Sequence, residues 1–274
     1  MNDIHTFHQV TNQCRDFFLS KGYTEVHPQM ERRILAACED PKTIGTYTMD
    51  GTVFPLPQTG QMALERFMLQ NPNENGFFCV TTSYRDEPNP IPGRHDKIFP
   101  MFEFETKGDM NTLQTLEKDL LTHIGFSNFT EGDYEDVCKK YDVDEVDDRV
   151  EGLLTEDGSV FFLKNFPNRS NPYWNMLKND NGKTFNKIDV IVHGMETIGS
   201  AERAVNREQM EHEFNIQSDG EYKKLIFDLF GEDRVRKELK EYLNYDFIQR
   251  CGGGIGLTRL FKGVEKERRL KESQ

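Results

Sequence analysis

Three groups of charged residues in this chain lie at the ends of apolar runs, where a fold can aim them at a ligand. The first is Tyr84-Arg85-Asp86-Glu87, a loop rich in proline and asparagine, Gly93-Arg94-His95, and then Phe99-Pro-Met-Phe-Glu103-Phe-Glu105. An arginine entering a loop can clamp a phosphate with its planar fork. An aromatic such as Phe99 can stack on a purine. The second is Cys251-Gly-Gly-Gly-Ile-Gly-Leu-Thr-Arg259-Leu. Glycines ending a strand let a ligand approach the backbone. Arg259 would then start a helix, where anions gather. The run lacks the Gly-Lys-Ser/Thr ending of a P-loop and the βαβ setting of a Rossmann fingerprint. The third is Asp189-Val-Ile-Val-His-Gly-Met-Glu196, followed by Gly199-Ser200-Ala-Glu-Arg203. Asp189 and Glu196 are hard oxygen ligands, suited to Mg²⁺ on nucleotide phosphates. Taken singly, each group also reads as a salt-bridged hairpin, a glycine turn or a polar strand end.

Periodicity places these groups on elements. Ile4, Phe7, Val10, Cys14 and Phe17 recur at three- or four-residue steps, predicting a helix that stops at Lys21-Gly22. Strands are expected at 23–26, 47–54, 77–83, 98–105, 160–163, 187–192 and 247–256. Helices are expected near 61–69, at 113–124 and at 221–243, with 262–274 a solvated helix end. The acidic stretch 131–158 reads as a solvated helical face with loops. Strands crossed by helices without a regular βαβ rhythm predict α+β with a largely antiparallel sheet.

Composition bounds the rest. The 274 residues are 36% hydrophobic and 30% charged, ordinary for one large globular domain. No apolar run approaches the roughly 18 residues of a membrane span, and Met1–Val10 has no secretory pattern. Five scattered cysteines without a CxxC pair read as reduced cytosolic thiols, with no zinc site expected. The net charge of −13 argues against a large polynucleotide partner.

Together and in this order, the three groups resemble the motifs of class II aminoacyl-tRNA synthetases, in particular the aspartate/asparagine/lysine subgroup. Arg85-Asp-Glu87, the loop with Arg94-His95, and Phe99 match the second motif. Gly252 to Leu260 match the third. Lys21-Gly-Tyr-Thr-Glu-Val-His-Pro28 matches the first, whose helix and proline form a two-fold dimer interface in that family. Asn165-Phe-Pro, Tyr173 and Gly194-x-Glu196…Gly199-Ser-x-x-Arg203 extend the likeness along nearly the whole chain. The resemblance implies a mostly antiparallel sheet of six or seven strands flanked by helices, a homodimer, and activation of an amino acid by ATP-Mg²⁺ as an adenylate. It gives Arg85 the α-phosphate and substrate carboxylate, Glu87 and Phe99 the adenine, Arg259 the γ-phosphate, and Asp189 with Glu196 the Mg²⁺. Arg94 and His95 would touch the nucleotide.

Gln58-Thr-Gly-Gln61-Met-Ala-Leu64-Glu65 corresponds to the amino-acid pocket, lined further by Thr59, Glu103, Ser200 and Gly254. The lysine of aspartate-specific members is Leu64 here; the segment looks asparaginyl-like, with Glu65 opposite Arg203. Glu65 could accept from an asparagine amide while Arg203 donates to its carbonyl. Equally, Glu65 could hold an α-ammonium and Arg203 an α-carboxylate, turning the β-carboxylate of aspartate toward ATP. The chain starts at the first motif, so a single catalytic domain over 1–274 without an anticodon-binding barrel is expected. Thr258 replaces the acidic residue usual before Arg259, and Ile98 the Glu before Phe99. The run Gly252 to Arg259 resembles ammonia-dependent asparagine synthetases. The leading expectation is therefore a cytoplasmic, AMP-forming, ammonia-using asparagine synthetase-like enzyme, with tRNA a disfavoured partner. The other readings are a stand-alone asparaginyl-tRNA-synthetase-like paralogue with another acceptor, and an inactive binding module.

Overall fold

The computed structural model describes residues 3–28, 33–35, 41–93, 96–156, 158–179 and 181–273. Its first helix, α1 (Ile4–Ser20), is capped by the Asp3 carboxylate, which accepts from the His5 amide. There follow β1 (Thr24–Glu25), β2 (Thr46–Met49), β3 (Thr52–Pro55), α2 (Gln61–Gln70), β4 (Gly76–Tyr84), β5 (Ile98–Lys107) and α3 (Met110–Ile124). The middle of the chain forms β6 (Phe129–Asp133), α4 (Tyr134–Tyr141), α5 (Asp148–Leu154), β7 (Val160–Pro167), β8 (Thr184–Val192) and β9 (Met195–Glu202). The last part forms α6 (Arg207–Ile216), α7 (Glu221–Phe230), α8 (Glu232–Leu243), β10 (Arg250–Gly256) and α9 (Leu257–Glu272).

The main sheet runs β1-β4-β5-β10-β9-β8-β7-β6. Every pair is antiparallel except the two edges, where β1 joins β4 and β6 joins β7 in parallel. The α+β, mostly antiparallel expectation holds, but the strand count is eight rather than six or seven. The extra strand that matters is β9. Its Gly199, Ser200 and Glu202 are poor strand formers, and pairing on both sides, with β8 and β10, makes it one. Two other expectations are corrected. Residues 47–54 fold as the β2–β3 hairpin around Asp50-Gly51, both at positive φ. The helix expected at 221–243 breaks at Gly231, φ +86, into α7 and α8.

Strand alternation sorts side chains to two faces. Phe102 and Phe104 of β5 join Phe78, Ile188, Val190, Ile198 and Ile255 in one core, covered by α1, α3 and α9. Phe18 of α1 packs on the rings of Phe78, Phe102 and Phe104 with centroids 5.9, 5.2 and 5.0 Å away. On the other face, α2 and α6 to α8 build a second core around Trp174, and α4 and α5 cover β7 with a third. Between these helices the second face of the central strands is left open. The acidic segment does form helices, with Val150 and Leu154 of α5 buried.

At the far end of the sheet, Glu267 of α9 accepts from Ser159 at 2.7 Å and lies 3.0 Å from His193 Nε2 in the β8–β9 turn. Among the described residues, no helix is long and apolar enough to cross a membrane.

Candidate active site

The open face holds a cavity of about 410 Å³. The expected residues Thr59, Gln61, Glu65, Arg85, Glu87, Phe99, Glu103, Asp189, Glu196, Ser200, Arg203, Gly254 and Arg259 all line it. The sheet explains the convergence: Gly254 pairs with Glu103 on one side and with Gly199 on the other. Arg94 and His95 lie outside the described residues.

Strand β4 hands Arg85 to the cavity rim. Ladder pairing continues one step past Tyr84–Ile98, because the Arg85 amide donates to the Lys97 carbonyl at 2.7 Å. The Arg85 guanidinium then lies 5.6 Å from the centroid of Phe99, within cation–π range. Arg259 sits in the first turn of α9, as expected. Its Nη1 donates to the Glu196 carbonyl at 2.7 Å and is 3.5 Å from that residue's carboxylate. Lys262, one turn on, donates to the Gly93 carbonyl at 2.8 Å and ties α9 to the β4–β5 loop.

Asp189 and Glu196 approach each other across Gly199. A Cβ there would stand 3.3 Å from Glu196 Oε1 and 3.7 Å from Asp189 Oδ1. Magnesium takes one or two protein carboxylates and fills its octahedron with water and phosphate oxygens. This donor pair, kept clear by a glycine, fits that ion. Among the described residues, no cluster of three or more His, Cys, Asp or Glu forms a closed metal cage. Lys187 lies 2.9 Å from Asp189 Oδ2 and covers the Phe166 ring at 4.0 Å.

The deep end is a box of four buried charges. Glu65 Oε2 accepts from Arg250 at 2.7 Å and Tyr242 at 2.6 Å, and Glu65 Oε1 accepts from Asn175 at 2.7 Å. Arg203 stands 3.6 Å from Glu65 and 3.4 Å from Glu105, and donates to the Gly252 carbonyl at 3.0 Å. Arg250 and Glu105 close the box at 3.8 Å. Burial pushes the Glu65 carboxyl up, but Arg203 and Arg250 outweigh it and hold the group below the usual range. Glu105 goes the other way: burial raises it to about 7, against the pull of Arg203.

Glu103 is committed to the pocket wall. Its two oxygens accept from the Gly60 amide at 3.0 and 2.9 Å and from the hydroxyls of Thr59 and Thr81. It thereby fixes the turn before α2, with Pro28 packed where a Gly60 Cβ would go. Ser200 gives its main chain to the floor. Its hydroxyl donates to the Ile188 carbonyl at 3.2 Å on the α3 side, where Ile198 is also buried. Below it, burial raises the fully enclosed Glu117 of α3 to about 8, and the nearby Asp189 charge acts in the same direction.

Arg250, Asn175, Tyr242 and Glu105 were not among the expected site residues. One signal was available: Arg250 shares strand parity with Gly252 and Gly254, so it faces the same side. Asn175 and Tyr242 carry no such mark, because only tertiary packing brings them to Glu65.

The chain is similar in fold to asparaginyl-tRNA synthetase from Pyrococcus horikoshii complexed with asparaginyl-adenylate, with TM-score 0.79 and 19% identity, over 96% of this chain and 65% of that one. It is likewise similar to asparaginyl-tRNA synthetase from Entamoeba histolytica, TM-score 0.73 and 16% identity, over 95% and 63%. Aspartyl-tRNA synthetase from that organism gives 0.72 and 17%, over 95% and 55%. Among curated proteins, it is 23% identical over 173 residues to the aspartate–tRNA(Asp/Asn) ligase of Elusimicrobium minutum (strain Pei191), 61% of this chain and 29% of that protein. The chain thus spans less than two thirds of these relatives' lengths. Since these relatives are themselves tRNA ligases, the acidic balance gives no ground for setting tRNA aside. The family model for class II tRNA synthetases (D, K and N) matches residues 1–273, and the chain belongs to that family.

Proposed function

We propose that this chain activates the carboxylate of aspartate or asparagine with ATP, giving an aminoacyl-adenylate and pyrophosphate. The observation that carries the reading is the gathering of Arg85 with Phe99, Asp189 with Glu196, and Arg259 into one cavity whose deep end is the Glu65–Arg203 pair. In this reading Phe99 stacks on adenine and Glu87 accepts from it. Arg85 holds the α-phosphate beside the substrate carboxylate, and Arg259 holds the γ-phosphate. A carboxylate oxygen attacks the α-phosphorus, and the bond to the β-phosphate bridging oxygen breaks as pyrophosphate leaves. Alignment and charge stabilisation supply the rate. Asp189 and Glu196 would hold Mg²⁺, which neutralises phosphate charge when bound.

The test is amino-acid-dependent exchange of labelled pyrophosphate into ATP over a panel of amino acids. Exchange with aspartate or asparagine is expected; exchange with none of the panel overturns the proposal.

Two acceptors are kept. Ammonia is supported by the likeness of Gly252 to Arg259 to ammonia-dependent synthetases, and tRNA by the curated relative. Labelled aspartate with ATP, Mg²⁺ and ammonium should yield asparagine and AMP in the first case. Charged tRNA without free asparagine marks the second. A homodimer built on α1 and Pro28 is part of the proposal, and a monomer mass at micromolar concentration would refute it.

A further inference from the structure

We infer that Arg250 and Asn175 set the deep end of the cavity to read a carboxylate, so that the amino acid held there is aspartate rather than asparagine. This deepens the proposed adenylate chemistry and rests on it.

An asparagine reader needs an acceptor for the amide NH₂. Of the two carboxylates that face Arg203, Glu65 is the one that lines the cavity, and three of its roughly four lone-pair sites are already taken. Tyr242 and Arg250 hold Oε2 at 2.6 and 2.7 Å, and Asn175 holds Oε1 at 2.7 Å. The fourth direction faces Arg203 at 3.6 Å. Glu65 therefore acts as the counter-ion of two arginines.

Arg203 is the member with capacity to spare. Its Nε and Nη2 bond to Glu105 and to the Gly252 carbonyl, while its Nη1 makes no hydrogen bond among the described residues. It lines the cavity, whereas Arg250 lies behind, wholly buried. A guanidinium edge with open N–H groups prefers an anion to an amide carbonyl. The charge count agrees. Two arginines face Glu65 and Glu105, and burial raises Glu105 to about 7. A proton on Glu105 leaves the box one positive charge in excess, which a substrate carboxylate would balance.

The acceptor count points the same way. Asn175 is fully buried and lines the cavity, and its Oδ1 has no hydrogen-bond partner among the described residues. The half-buried Gln61 also lines the cavity, and its Oε1 likewise has no hydrogen-bond partner among the described residues. Two neutral acceptors suit the three N–H groups of a substrate ammonium. With three of their roughly four lone-pair sites so used, they cannot take both further donors of an amide.

Arg250 acts through Glu65, so it is a positioning residue. The test measures aspartate and asparagine side by side, by calorimetric binding and by ATP–pyrophosphate exchange. The wild-type protein should favour aspartate at least tenfold in both. In Arg250→Gln the aspartate-to-asparagine ratio should fall tenfold or more, through the KM of aspartate rather than kcat. Asn175→Leu keeps every charge and returns one Glu65 lone pair to the cavity. It should shift the ratio toward asparagine severalfold, and it serves if the arginine variant does not fold. Equal or tighter binding of asparagine by the wild-type protein overturns the inference, as does an unchanged ratio in folded variants. Exchange with neither amino acid overturns the proposed activation instead, and the calorimetric preference still decides the pocket.

Discussion

The guanidinium of Arg85 lies 5.6 Å from the centre of the Phe99 ring, the two brought together across neighbouring strands. Under the proposed function the first holds a phosphate and the second stacks on the base. Arg85→Ala should lower exchange by about 10²–10³-fold, the cost of losing one preorganised charge donor. Phe99→Leu should instead raise the KM for ATP about tenfold, since stacking on an aromatic gives about 1–3 kcal/mol per base. Steady-state exchange kinetics on both variants separate the two effects. Equal losses in kcat and KM for both would contradict this division.

Asp189→Asn and Glu196→Gln each remove one carboxylate, a proposed Mg²⁺ ligand, from beside Gly199. Each should raise the Mg²⁺ concentration for half-maximal exchange about tenfold or more. A Mg²⁺ titration at saturating ATP checks this, and an unchanged midpoint would remove that residue from the metal assignment.

Gly252 and Gly254 should differ sharply. An alanine Cβ at 252 would meet the Phe104 carbonyl at 2.3 Å and Glu105 Oε2 at 2.1 Å. At 254 the nearest atom is the flexible Met101 methyl, at 2.7 Å. Gly252→Ala should cost about 3 kcal/mol or more, and Gly254→Ala about 1 kcal/mol. Urea denaturation gives both numbers, and similar costs would show that the Gly252 backbone can yield.

Glu117 predicts a pH slope. Burial raises its folded-state pKa to about 8, from an ordinary value of 4.5. Between those values the folded protein binds more protons than the unfolded chain, so stability falls as pH rises through this window. Glu105, raised to about 7, acts in the same direction. Glu117→Gln should flatten the slope and stabilise the protein by roughly 1–3 kcal/mol at pH 8.5. Urea midpoints at pH 5 and 8.5 measure it; an unaltered slope would mean that Glu117 is already ionised in the fold.

The sequence carried the site well where chemistry is local. Arg85, Phe99, Asp189, Glu196 and Arg259 belong to short motifs at strand ends, and the sheet brings those ends together. It carried the deep box poorly. Arg250 looks like an ordinary polar start to a glycine strand, yet it is fully buried against Glu65, 185 positions earlier. Asn175 lies in an irregular segment with no periodicity. Ser200 stands two residues from Ile198 on the same face, so its hydroxyl belongs under the floor; a motif match ignores that alternation. For the fold, the Asp50-Gly51 turn and the Gly231 break were visible as turn residues but were outvoted by flanking apolar runs. Strand β9 has too little strand propensity to be seen apart from its neighbours.

Helix α9 starts at the cavity with Arg259, is held to the β4–β5 loop by Lys262, and is fastened at the back of the molecule through Glu267 to Ser159 and His193. Gly263 lets it lie against Val192, where a Cβ would stand 2.7 Å from the side chain. A rod pinned at three places along its length behaves as a lever. Cutting the chain behind Lys262, or prising its last turns away with a bulky fusion, would leave every motif intact and still disturb Arg259 where it lines the cavity.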